Sequence, residues 1–162
     1  MPVIARSVAS LRIFGDTLIP IEITARIGAA PTWSYRKGDV KQMRSGRELV
    51  RKTGMWLIEA TASEPEDLNS QVAELFAQLT QDMAVWRALS AEFEVDLYCG
   101  LFMDGTNDGL SLSASTMAAL GERGVELGLD VYAPAVELLP TDPCPCESGK
   151  SYEQCCGAPP DA

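Results

Sequence analysis

Alternation of apolar and polar positions is cleanest in EFEVDLYCGLFM, residues 92–103. Phe93, Val95, Leu97, Cys99, Leu101 and Met103 share one face, and Glu94, Asp96, Tyr98 and Phe102 take the other. That period of two is the mark of a half-buried strand. SVASLRIFG (7–15) alternates in the same way, and TGMWLIEAT (53–61) and LDVYAPA (129–135) also read as strands. Elsewhere the period is three to four. Ile19, Ile23 and Ile27 predict a short helix with Pro20 in its first turn, Gly28 as its stop, and Asp16 or Thr17 ahead as a cap. Leu68, Val72, Leu75, Phe76, Leu79, Met83, Trp86 and Leu89 predict one helix of about six turns. Ser63 and Glu66 offer it a capping box, with Pro65 in the first turn. A last helix is expected from Ser113 through Met117, Leu120 and Leu127. AAPTWSYRKGD reads as a loop, and DGTNDG (104–109) as a hairpin turn into LSLS.

Strands and helices interleaved in this order predict an α+β fold: a mostly antiparallel sheet with helices packed on one face. The expected architecture is a sandwich of ferredoxin-like type with an extra N-terminal strand and helix. Such a sheet leaves its second face open. If the alternation holds, Asp96, Tyr98, Phe102 and Tyr132 lie there together with Arg12, a candidate face for a ligand, a partner or a second copy of the chain. Pro140 and Pro143 break regular structure in ELLPTDP, so the chain divides into an α+β domain (1–135), a linker (136–143) and a small tail unit (144–157).

Charge sharpens this picture. Residues 1–52 hold ten of the thirteen Lys/Arg and four of the 23 Asp/Glu, while the whole chain carries −10. The basic excess peaks at 36–52, in Arg36, Lys37, Lys41, Arg44, Arg47, Arg51 and Lys52. These seven form a candidate anion-binding strip; the plainer reading is a solvated loop facing the acidic remainder. The overall acidity argues against general nucleic-acid binding, because phosphate would be repelled. No apolar run approaches the ~20 residues of a membrane span. The first sixteen residues lack the pattern of an export signal, so a reducing cytoplasm is expected.

The chain has no histidine. That removes Ser-His-Asp triads, Cys-His pairs and His-metal catalytic centres. It does have CPCESGKSYEQCC, which puts Cys144, Cys146, Cys155 and Cys156 within thirteen residues. Two disulfides would suit a secreted chain. A catalytic thiol would need a base. GKS (149–151) lacks the earlier glycine of a phosphate loop, where Cys144 stands, and no strand leads into it. Four thiolates suit one structural zinc ion, and with every position filled by sulfur the site would be closed to substrate. For neighbouring Cys155 and Cys156 to share a metal, residues 151–156 must form a helical turn. That requires a reversal near Gly149 and a stop at Gly157.

The stretch CPCESGKSYEQCCG resembles the SEC-C zinc-binding motif in Cys144, Pro145, Cys146, Ser148, Gly149, Lys150, Tyr152, Cys155, Cys156 and Gly157. The motif usually has glycine where Glu147 stands, and basic residues near Ser151 and Glu153. The resemblance implies zinc on the four cysteines and docking toward protein partners. The larger part is similar, through SLRIFGDTLIP, EITARIGAAPTWSYRKGD, GMWLIEA, YCGLF and LGLDVYA, to the bacterial domain-of-unknown-function family 4279 over roughly residues 7–133. That resemblance implies an α+β domain, no assigned activity and, in some relatives, a toxin-protective role. The reading that follows is a non-enzymatic cytoplasmic zinc-binding protein, its α+β domain used for recognition and its tail for docking. The alternatives are a toxin-neutralising or small-ligand-binding protein, and an enzyme using carboxylates such as Asp96 on an anionic substrate.

Overall fold

The computed structural model describes residues 3–134 and 139–156. Its elements run β1 (Arg6–Gly15), α1 (Pro20–Ile27), β2 (Trp33–Tyr35), β3 (Val40–Gln42), β4 (Glu48–Val50), β5 (Gly54–Glu59), α2 (Leu68–Gln78), α3 (Met83–Glu92), β6 (Glu94–Phe102), α4 (Ala114–Glu122) and β7 (Glu126–Tyr132), followed by a 3₁₀ turn at Tyr152–Gln154. Five strands form a mixed sheet in the order β2-β5-β1-β6-β7, and β3 and β4 form a separate ribbon. All pairings in the large sheet are antiparallel except β6 with β7, which α4 connects in parallel. The expected α+β class is what the chain adopts, with the N-terminal strand in the middle of the sheet.

One face of the sheet makes the core. Ala9, Leu11 and Ile13 of β1, Trp56 and Ile58 of β5, and Val95, Leu97, Cys99 and Leu101 of β6 are buried, as the period of two requires. The helices cover them with Ile23 and Ile27, with Leu68, Val72, Leu75 and Phe76, and with Trp86, Leu89 and Leu120. These side chains form a single cluster. Trp56 Nε1 donates to Thr24 Oγ1 at 3.0 Å and Trp86 Nε1 donates to the Thr80 carbonyl at 2.9 Å, so both indoles are buried without an orphaned N–H.

Local structure departs from the pattern at identifiable points. The stripe from Leu68 to Leu89 belongs to two helices. The chain turns extended at Leu79, where the Thr80 N–H donates to the Ile27 carbonyl at 2.8 Å, and Asp82 recaps α3 by accepting from the Ala84 N–H at 2.8 Å. The capping box does not form. Ser63 is held extended by backbone bonds to Ser7 in both directions, and Asp67 caps α2 through the Ser70 N–H at 3.0 Å. Neither Asp16 nor Thr17 caps α1, whose N-cap position is Ile19 and has no side-chain hydrogen bond. Its stop is Gly28, at φ 86°, a left-handed value that favours glycine. Ser113 caps α4 as expected, but Leu127 lies in β7 and Met117 is exposed. Residues 110–113 form no strand, so the hairpin expected at 104–109 is a turn that leads into α4. The stretch read as a loop contains β2, and the basic stretch contains the β3–β4 ribbon.

Candidate metal centre and the open sheet face

The tail residues 139–156 are built around a reversal. The Cys144 N–H donates to the Lys150 carbonyl at 2.9 Å, and Pro143 and Ser151 form an antiparallel bridge. The turn between them passes through Glu147 at φ 59° and Gly149 at φ 74°. The 3₁₀ turn follows, closed by the Cys155 N–H on the Tyr152 carbonyl at 3.1 Å. This is the reversal and helical turn that convergence of neighbouring cysteines demands. Residue 157 lies outside the described residues, as do 135–138.

The four sulfurs come together. All lie within 4.8 Å of one another. Cys146 Sγ is 3.2 Å from Cys144 Sγ and 3.4 Å from Cys155 Sγ, and Cys155 and Cys156 are 4.0 Å apart. A tetrahedron with ~2.3 Å metal–sulfur bonds has edges of roughly 3.8 Å, so this donor set fits one ion. Four sulfurs favour a soft or borderline divalent metal over a hard one. Cys144 is buried while Cys146 and Cys156 are exposed. The crowding splits the thiols' acidity. Hydrogen bonding with Ser148, Cys144 and Cys155 brings Cys146 down to about 6. Backbone donors bring Cys144 down. Cys156, facing the other three sulfurs, is pushed up to about 12. Such a cluster gives up its first proton readily and resists losing the last, and a divalent cation removes that resistance.

The second cluster is the face of the sheet turned away from the helices. Register places Arg6 opposite Phe102, Ser10 opposite Tyr98, Arg12 opposite Asp96 and Phe102 opposite Tyr132. Thus Arg12, Asp96, Tyr98, Phe102 and Tyr132 share one face, as the alternation predicts. Arg12 meets Asp96 through two hydrogen bonds and lies 4.3 Å from the Tyr98 ring centroid. Tyr98 and Tyr132 both donate to Asp130 Oδ2 at 2.6 Å. Phe102 stacks on Tyr132 at 4.8 Å, and Arg6 covers Phe102 at 3.8 Å. At the α3 end of this face is an open hollow of ≈ 720 Å³, lined by Arg12, Phe14, Asp16, Phe93, Glu94 and Asp96 among others.

The strip 36–52 is not gathered into either cluster. Lys37 bonds to Asp16 and Arg51 lies 4.0 Å over the Tyr35 ring. Arg36, Lys41, Arg44, Arg47 and Lys52 stand along the exposed ribbon. Three members of the open face were not legible in advance. Asp130 sat in a strand whose register was unknown, Arg6 preceded the first alternating residue, and Trp33 lay in a segment read as a loop. The aromatic-Ser-aromatic spacing of Trp33, Ser34 and Tyr35 was the available signal.

Comparison with known families gives two matches. The profile described as "Domain of unknown function (DUF4279)" matches residues 5–134, and that described as "SEC-C motif" matches residues 141–158. No curated protein and no solved structure matches the chain. No helix among the described residues is long and apolar enough to cross a membrane.

Proposed function

The chain belongs to the DUF4279 family and ends in a SEC-C motif, and from that premise we propose that it is a cytoplasmic, non-enzymatic binding protein whose tail is folded by one structural zinc ion and docks onto a protein partner. The observation that carries this reading is the convergence of Cys144, Cys146, Cys155 and Cys156. Zinc suits an all-sulfur tetrahedron, and its closed shell leaves no position for water or substrate. A unit of this size has almost no core of its own, so metal binding supplies its folding free energy. The tail is then a shaped surface and not a reaction centre. Asp96, the carboxylate that an enzyme reading would use, is occupied by Arg12.

The α+β domain is the recognition module in this account. The hollow beside Arg12 and Phe93 also favours a second reading, in which that module holds a small molecule. The test begins with metal analysis of the full chain purified under reductant. One zinc per chain is expected, and none after Cys144→Ser with Cys155→Ser. Affinity capture from cytosol then compares wild type with that variant. Metal-free wild type defeats the zinc assignment, and partners unchanged in the variant defeat the docking role.

A further inference from the structure

The ribbon does not behave as a solvated loop neutralised by its own molecule. Residues 36–52 carry seven basic and two acidic side chains, and 36–50 are exposed throughout. Among the described residues only Lys37 of these seven forms an ion pair. Register puts Lys41 beside Leu49 and Val40 beside Val50. Val40 and Val50 are 55% and 54% exposed, and Met43 and Leu49 are exposed as well. An isolated two-stranded ribbon is marginal in water. One that also exposes apolar side chains between unpaired cations has the make-up of a contact surface.

The surface it complements lies on the same molecule. Register sets Glu59 opposite Ser10, Glu94 opposite Phe14 and Glu126 opposite Asp96, so all three carboxylates lie on the open sheet face. None of the three is in an ion pair among the described residues. Trp33, 61% exposed, and Tyr132, 43% exposed, stand on that face as aromatic anchors.

We propose that the chain pairs with a second copy of itself, the basic ribbon 36–52 of each docking on the acidic, aromatic sheet face of the other. The contact is made twice and closes as a two-fold dimer. Charge selects this occupant. The strip carries a net +5 within a −10 chain, so the remainder carries −15. A nucleic acid reaching the ribbon would meet that remainder, whereas a second copy brings it where cations wait. This pairing is independent of the metal-bound tail.

The test uses full-length, metal-loaded protein under reductant, with mass measured by light scattering or sedimentation. A dimer is expected at about 50 mM salt, weakened at least tenfold at about 0.5 M, where screening is strong. Arg44→Glu with Arg47→Glu should give a monomer, as should Glu59→Lys with Glu126→Lys. All four positions are exposed, so circular dichroism should be unchanged. Mixing the two variants should restore a one-to-one dimer, because the acidic ribbon then meets the basic face while the unaltered ribbon meets the unaltered face. A wild-type monomer at every salt concentration, a dimer that survives either reversal, or a mixture that stays monomeric overturns the proposal.

Discussion

Arg12 and Asp96 stand opposite each other on β1 and β6 and close a two-point ion pair, Nε to Oδ1 at 2.8 Å and Nη2 to Oδ2 at 2.6 Å. Hydrogen bonding to Asp96 raises the Arg12 guanidinium above its ordinary value. The side chains stay 25% and 26% exposed, so water screens the pair despite its geometry. Asp96→Asn should therefore cost only about 1 kcal/mol. Thermal melting should fall by roughly 2–4 °C in a domain of this size. A loss of several times that would mean that the pair organises the whole face.

Gln71 should matter more, though it bears no charge. It is 2% exposed, and Ser7 Oγ donates to its Oε1 at 2.7 Å. Its Nε2 donates to the Thr61 carbonyl at 2.8 Å and the Ser7 carbonyl at 3.3 Å. Gln71→Leu keeps the bulk but leaves Ser7 Oγ, on a residue 0% exposed, without its acceptor. The expected cost is about 2–3 kcal/mol, seen as a lower midpoint in urea with little change in slope.

These two sites mark what the sequence could and could not convey. The Arg12–Asp96 face was legible because a strand's period of two sorts side chains onto faces before any partner is known. Cys144, Cys146, Cys155 and Cys156 were legible because tetrahedral ligation restricts spacing so tightly. Gln71 sat one position from an apolar stripe, and nothing local says that a polar residue there faces Ser7, 64 positions away. The break between α2 and α3 was hidden for the same reason. The stripe continues through it, and the turn is fixed by Thr80 reaching the Ile27 carbonyl, a tertiary contact. The ribbon failed as a prediction because β3 and β4 bury nothing, so no alternation was there to be read.

Cys99 offers a contrast with the tail. It is fully buried in β6, and burial pushes its thiol up to about 12. Without metal the proposed tail loses its fold, so a thiol reagent at neutral pH should modify its four cysteines quickly and Cys99 only after the α+β domain unfolds. In metal-loaded protein the tail thiols should be slowed as well. Rapid modification of a Cys99-only variant, with the other four changed to serine, would contradict the buried placement.

Tyr98 and Tyr132 share Asp130, and the shared oxygen sets signs at both ends of the pH scale. The two hydroxyl donors hold Asp130 below the usual carboxylate range. Its contribution to stability is present above the unfolded carboxylate value near ~4 and lost as acid reaches its lower folded value. Accepting a hydrogen bond from each phenol, the carboxylate pushes Tyr98 up to about 12 and Tyr132 up as well. That contribution is present below the ordinary phenol value near ~10 and fades as pH climbs past it. Alkaline titration of phenolate absorbance, with Tyr98→Phe for assignment, should find Tyr98 ionising late. Asp130→Asn should bring both phenols back toward the ordinary value.

Glu147 is the non-glycine residue with positive φ among the described residues, at 59°, and it stands in the tail's turn where the SEC-C pattern has glycine. A side chain in that left-handed conformation costs about 1–2 kcal/mol. Glu147→Gly removes the cost but frees the unfolded chain, which returns about 0.4–1 kcal/mol of it. A net gain of about 0.5–1 kcal/mol remains. On the proposal that the tail folds with its metal, the gain should appear as metal binding about two- to fivefold tighter in competition with a chelator. Relief of repulsion is the rival cause, since Glu147 is an anion beside a cluster of thiolates. Glu147→Ala separates the two: it drops the charge and keeps the Cβ. Backbone strain predicts that alanine leaves affinity near wild type while glycine raises it, and an alanine variant that matches glycine would assign the effect to charge.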